Sequence, residues 1–328
     1  MPTLTIGKWN GLKRTSNEAG TFSIVAFDQR DSYRQMLASK TTYREAVKIK
    51  QAVVEALSPY ASAFLLDPEY GLEPALYLHR TSGLILAVEK SGYSGDATYR
   101  RTELYAHWNV AKIKLAGAQA VKLLVYYHPK AGALANEIES LSADIAEQCR
   151  NHDLCYFLEP LIYSLDPRLP KASPEFARQR PELICETATR LAATGPDVLK
   201  LEFPVDVTFD PDQSRWRDAC AALSEASPVP WVLLSAGVEF ELFKQQLELA
   251  CAAGASGFLA GRAIWQEGVS MSPESRQTFL TKTAVPRLHQ LTEIVNAHAR
   301  PWTAFFSPAP LGEESAFAKY GAYSGFHK

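Results

Sequence analysis

The feature that most restricts the fold is the regular return of short apolar runs, each followed by a stretch with helical spacing. The runs fall at 22–27 (FSIVAF), 62–66 (SAFLL), 84–88 (LILAV), 120–125 (AVKLLV), 155–158 (CYFL), 197–201 (DVLKL), 231–234 (WVLL) and 257–260 (GFLA). Alternation of this kind marks strand–helix–strand units rather than an all-β or all-α chain. Eight strands with crossovers, filling about 250 residues, predict a (β/α)8 TIM barrel. The crossovers at 42–57 and 100–116 are expected to be helical, and the one at 71–80 is short. A doubly wound open sheet is the alternative, because strand count alone does not close a barrel.

No repeat or linker divides the chain, so residues 1–300 are expected to form one barrel domain. Residues 301–328 are rich in Gly, Pro, Ser and aromatics and predict an irregular C-terminal tail. Its aromatics are expected to pack on the barrel or on a neighbouring subunit, which favours a homo-oligomer. The 34 basic and 36 acidic residues nearly cancel, so no sequence-wide field would draw nucleic acid or anionic lipid. No apolar run is long enough to span a bilayer, and the first residues do not have the pattern of a leader. A cytoplasmic protein without nucleic-acid or membrane partners is expected. Five scattered cysteines, with no Cys-x-x-Cys pair, suit reduced thiols better than disulfides or a zinc site.

In barrels of this kind chemistry is carried at the C-terminal ends of the strands. Those ends are polar here: Asp28-Gln29-Arg30, Asp67-Pro68-Glu69, Glu89-Lys90, Glu159, Glu202, Ser235-Ala236-Gly237 and Gly261-Arg262. Lys122 and Lys200 lie inside apolar strands, where lysine is out of place. Period-two alternation puts Lys200 on one face with Val198 and Glu202, and Leu199, Leu201 and Phe203 on the other, so Lys200 is expected to point into the barrel. Lys122 on strand four can share a layer with Lys200 on strand six, with Glu159 between them. A buried ion pair that only balances charge is the plainer interpretation. A Schiff-base lysine is the sharper one, since desolvation and a second ammonium both favour the neutral, nucleophilic amine. Ser235, Gly237, Gly261 and Arg262 supply parts of the phosphate cradle that barrels often build from their last two loops. Metal chemistry would need clustered histidines or carboxylates, yet only His128 follows a strand, and a solvated loop position explains it.

Seven segments together resemble a known family: AFDQR (26–30), SPYASAFLLDPEYGL (58–72), AVEKSGY (87–93), GAQAVKLLVYY (117–127), PDVLKLEFPV (196–205), LLSAGV (233–238) and LAGRAIW (259–265). The chain is similar to the class I (Schiff-base) tagatose 1,6-bisphosphate aldolases and the related sulfofructose-phosphate aldolases. The resemblance implies a TIM barrel and cleavage of a ketohexose 1,6-bisphosphate to dihydroxyacetone phosphate and glyceraldehyde 3-phosphate, with no metal or other cofactor. It matches Lys200 to the Schiff-base lysine, with Lys122 and Glu159 as catalytic neighbours. It places Asp28, Gln29, Ser235, Gly237, Gly261 and Arg262 where such enzymes hold the substrate and its phosphate. Arg30 and Lys90 are candidates for the distal anion. Glu159-Pro160 and the tail beyond Pro301 depart from the pattern, and both affect the rim. Two other functions stay open: cleavage of 6-deoxy-6-sulfofructose 1-phosphate to dihydroxyacetone phosphate and sulfolactaldehyde, and a sugar-phosphate sensor.

Overall fold

A computed structural model describes residues 1–309. Eight parallel strands close into a barrel: β1 (Phe22–Phe27), β2 (Ala63–Leu66), β3 (Gly83–Ala87), β4 (Ala120–Tyr127), β5 (Cys155–Ile162), β6 (Val198–Leu201), β7 (Trp231–Leu234) and β8 (Gly257–Ala260). Each pairs with its sequence neighbours, and β8 returns to β1 through Gly257–Phe22 to Ala260–Val25. Closure removes the open-sheet alternative. The strands read as near-continuous apolar runs because both faces are covered, one by helices and one by the barrel interior.

Helix α1 (Tyr43–Leu57) follows β1 as expected and starts with a capping box, in which Thr42 accepts from the Glu45 amide and Glu45 accepts from the Thr42 amide at 2.7 Å. The β2 crossover is short, with only Leu72–Ala75 helical. The expected helix at 100–116 forms only over Val110–Leu115, capped by Asn109. Upstream of it, Ser94–Asp96 and Tyr99–Arg101 pair as an antiparallel hairpin. The cause is turn chemistry. Asp96 accepts from Thr98 and Tyr99 amides, and Gly95 at φ +101° lies so close to Tyr99 that a Cβ would overlap its carbonyl at 2.0 Å.

Inside the barrel the layers alternate in character. Phe22 and Phe157 meet edge to face at 5.8 Å and help fill the lower part. Above them, side chains spaced two apart (Lys122, Leu124 and Tyr126 on β4; Glu159 and Leu161 on β5; Lys200 and Glu202 at β6) face a cavity of about 530 Å³. Part of the tail packs on the barrel: Trp302, Phe305 and Phe306 are buried, and Ser307–Pro308 pairs with Thr3–Leu4. The rest of the aromatic tail, 310–328, lies outside the described residues. Among the described residues no helix is long and apolar enough to cross a membrane, and the five cysteines are free thiols.

Candidate active site

The cavity opens at the C-terminal ends of the strands, and a charge network forms its floor. Lys122 is fully buried, and its ammonium lies 2.7 Å from Asp28 Oδ2, 2.8 Å from Glu159 Oε2 and 3.0 Å from Glu89 Oε1. Burial alone would press this amine down, but the three carboxylates outweigh it and hold Lys122 well above the ordinary lysine range. Burial likewise pushes the Asp28 carboxyl up, and Lys122, Lys200 and Arg30 outweigh it, leaving Asp28 well below the usual carboxylate range.

Lys200, 4% exposed, lies 2.9 Å from Glu159 Oε1. Strand register accounts for the contact. Phe157 pairs with Val198, so Glu159 and Lys200, each two residues on, stand opposite one another on the inner face. The expected pair of ammonium groups is therefore interleaved with a carboxylate: Glu159 bridges Lys122 and Lys200. Three cations (Lys122, Lys200, Arg30) meet three anions (Asp28, Glu89, Glu159), so no bare second ammonium stands beside Lys200.

Glu89 is the member of this network that sequence reasoning noted at a strand end without giving it a role. It is 1% exposed, pairs with both Arg30 and Lys122, and accepts from the Leu124 amide at 3.1 Å. Its partners lie on two other segments, the end of β1 and β4, so only the closed barrel reveals them. Arg30 is correspondingly occupied: its guanidinium binds the Glu89 carboxylate at 3.0 Å and the Glu89 carbonyl. Lys90 lines the cavity but pairs with Glu103 at 3.3 Å. Lys171 and Arg180, which sequence reasoning missed, also line the cavity, and both hold Glu202, at 2.7 and 3.3 Å. A loop and a helix supply them, so no strand pattern could have pointed to them.

The β7 and β8 loops form the opposite wall. Ser235, Gly261 and Arg262 line the cavity, with the Gly261 amide 3.5 Å from Ser235 Oγ. Gly261 passes so close to β1 that a Cβ would sit 2.3 Å from the Ala26 carbonyl. Gly237, at φ +78°, does not itself line the cavity but lies under the Arg262 guanidinium, where a Cβ would come within 2.9 Å of Cζ. Among the described residues, Arg262 is the one cavity-lining cation without a carboxylate partner. Gln29 lines the cavity with its Oε1 buried and unpartnered. His128 lies outside the cavity, and its Nδ1 accepts from the Lys130 amide.

A buried amine beside a carboxylate, with a free guanidinium across a polar cavity, suits chemistry on a small anionic carbonyl compound. Comparisons with known proteins point the same way. The chain is 34% identical over 323 residues to tagatose 1,6-diphosphate aldolase 2 of Streptococcus pyogenes serotype M3, covering 92% of this chain and 98% of the relative. It is 33% identical over 352 residues to tagatose 1,6-diphosphate aldolase of Listeria monocytogenes serotype 4a, covering 100% of this chain and 98% of the relative. In fold alone it is similar to an archaeal fructose 1,6-bisphosphate aldolase, with a TM-score of 0.62 at 16% identity over 88% of this chain and 99% of the other. It is likewise similar to fructose-bisphosphate aldolase from Slackia heliotrinireducens, with a TM-score of 0.65 at 12% identity over 94% and 93%. Residues 22–267 match the DeoC/LacD family aldolase description, and the chain belongs to that family as a carbon–carbon lyase.

Proposed function

We propose that the protein cleaves a ketohexose 1,6-bisphosphate of the tagatose type to dihydroxyacetone phosphate and glyceraldehyde 3-phosphate through a Schiff base on Lys200. The observation that carries the reading is the buried Lys200 amine, 2.9 Å from Glu159 and facing a cavity whose far wall holds the unpaired Arg262. The names of the curated relatives at 33–34% identity support the choice of sugar.

Glu159 takes a proton from the Lys200 ammonium, and the neutral amine adds to the C2 carbonyl. The same carboxyl then protonates the C2 hydroxyl, which leaves as water and gives a protonated imine. Glu159, again a carboxylate, accepts the C4 hydroxyl proton. The C3–C4 bond breaks, its electron pair moves into the iminium to form an enamine, and the aldehyde is released. Protonation at C3 and addition of water return dihydroxyacetone phosphate and free Lys200. Lys122 stays charged throughout, held by Asp28 and Glu89, and stabilises the negative charge developing near Glu159. Arg262, with Ser235, Gly261 and the Gly237 turn, holds the 1-phosphate and so aligns the bond that breaks. Gln29, which lines the cavity, contacts the substrate.

Borohydride reduction in the presence of dihydroxyacetone phosphate, followed by peptide mass analysis, tests the mechanism. A stable adduct on the peptide containing Lys200 is expected, and an adduct elsewhere or none would refute it. Comparing kcat/KM for the bisphosphate and for 6-deoxy-6-sulfofructose 1-phosphate tests the substrate. A higher value for the sulfonate would overturn the choice of sugar while leaving the Schiff base standing.

A further inference from the structure

Helix α1 carries a lysine that none of these steps uses. Lys50 is fully buried, and its ammonium donates to the Phe27 carbonyl at 2.7 Å and the Gln29 carbonyl at 3.2 Å, and pairs with Asp67. Those carbonyls belong to the residues on either side of Asp28. The ammonium also lies 4.4 Å from the Phe27 ring and 5.2 Å from the Tyr33 ring. Its three N–H donors are all engaged. Asp67 is anchored in turn, its Oδ1 accepting from the Glu69 and Tyr70 amides at 2.9 and 2.8 Å.

The place of this contact sets its effect. The ladder between β1 and β8 ends at Val25, and the one between β1 and β2 ends at Phe27. Beyond Phe27 no strand partner fixes the backbone, yet there the chain must present Asp28 to Lys122 at 2.7 Å and Gln29 to the cavity. For stability alone an apolar pair would serve as well as a buried ion pair. A buried multiple donor can hold the Phe27 and Gln29 carbonyls, two residues apart, at the same time, which an apolar pair cannot. We propose that Lys50 is a positioning residue for the aldol cleavage, clamping both carbonyls around Asp28 so that Asp28 and Gln29 keep their places beneath the substrate. This rests on the Schiff-base reading above.

The test is turnover per trapped site. The double substitution Lys50→Met with Asp67→Asn removes the buried pair without stranding a charge and keeps the Asp67 turn's acceptor. Active sites are counted by borohydride trapping of dihydroxyacetone phosphate on Lys200, and kcat is divided by that count. A merely structural role lowers the number of trapped sites and leaves turnover per site at the wild-type value, which would overturn the proposal. Positioning predicts turnover per site lower by about 10- to 100-fold, the scale of misplacing a group by about 1 Å. The second variant is Asp67→Asn alone, which keeps the amine on both carbonyls. Its turnover per site is expected within about threefold of wild type. A loss of about 10-fold or more in this single variant would assign the effect to the ion pair and overturn the clamp, whether or not the double variant folds. Absence of trapping in the wild type would instead refute the Schiff-base reading.

Discussion

Replacing Lys122 by methionine leaves three carboxylates facing one another at the bottom of the cavity with an apolar chain of similar length between them. In the wild type their distances to the ammonium are 2.7, 2.8 and 3.0 Å, and the side chain is fully buried. Breaking a buried pair by removing one partner costs about 3–5 kcal/mol, and here one removal strands Asp28, while Glu89 keeps Arg30 and Glu159 keeps Lys200. We therefore expect a loss of about 3–5 kcal/mol at pH 7.5, read as the difference in unfolding free energy from guanidinium titrations. The pH dependence adds a second condition. In the wild type Asp28 is held low, so its stabilisation is present above the unfolded aspartate pKa of about 3.9 and falls as the pH drops through the folded value. In the variant the stranded Asp28 carboxyl rises above its unfolded value, so the folded state binds more protons and stability increases as the pH falls. The two curves must converge towards acid. At pH 5 the deficit should be smaller by about 1 kcal/mol or more, one pKa unit being worth about 1.4 kcal/mol. A deficit below about 1 kcal/mol at pH 7.5, or one that does not change between pH 7.5 and 5, would refute the converging-carboxylate account.

Glu159→Gln should lower kcat by about 10²- to 10⁴-fold while leaving Lys200 slowly trappable by borohydride, because the amide keeps the space but cannot carry protons. Equal loss of trapping and turnover would show that Glu159 acts only in forming the imine. Arg262→Met should raise KM for the phosphorylated substrate by about 10- to 100-fold, the loss of a charged hydrogen bond, with little change for unphosphorylated dihydroxyacetone. Gly237→Ala should act in the same direction, since its Cβ would fall 2.9 Å from Arg262 Cζ at a φ of +78°; an unchanged KM would separate that turn from the phosphate end. Burial pushes the Cys220 thiol up to about 12 and raises those of Cys149, Cys155 and Cys251 further, so a thiol reagent at pH 8 should titrate at most the half-buried Cys185 until the protein is denatured.

The strand pattern was legible because a strand buried on both faces must be apolar throughout, and every one of the eight runs forms a barrel strand. Lys122 and Lys200 were legible for the same reason, as charges in segments that exclude charge. The segment 100–116 was misjudged because the Asp96 turn and Gly95 act over three or four residues, a range too short for helical spacing to register.

By itself, then, the sequence determined the repeating unit, the inward direction of the two lysines and the small residues of the last two loops, since local periodicity and steric need decide these. Only the tertiary structure decided which charges meet. Strand register set Glu159 opposite Lys200, and closure of the barrel carried Glu89 and Asp28 to Lys122. Lys171 and Arg180 reached Glu202 from a loop and a helix, and Lys50 reached the backbone around Asp28 from the far side of β1. Contacts between residues distant in the chain depend on three-dimensional placement, and electrostatic energy falls with that distance and with exposure to water, neither of which a linear sequence records.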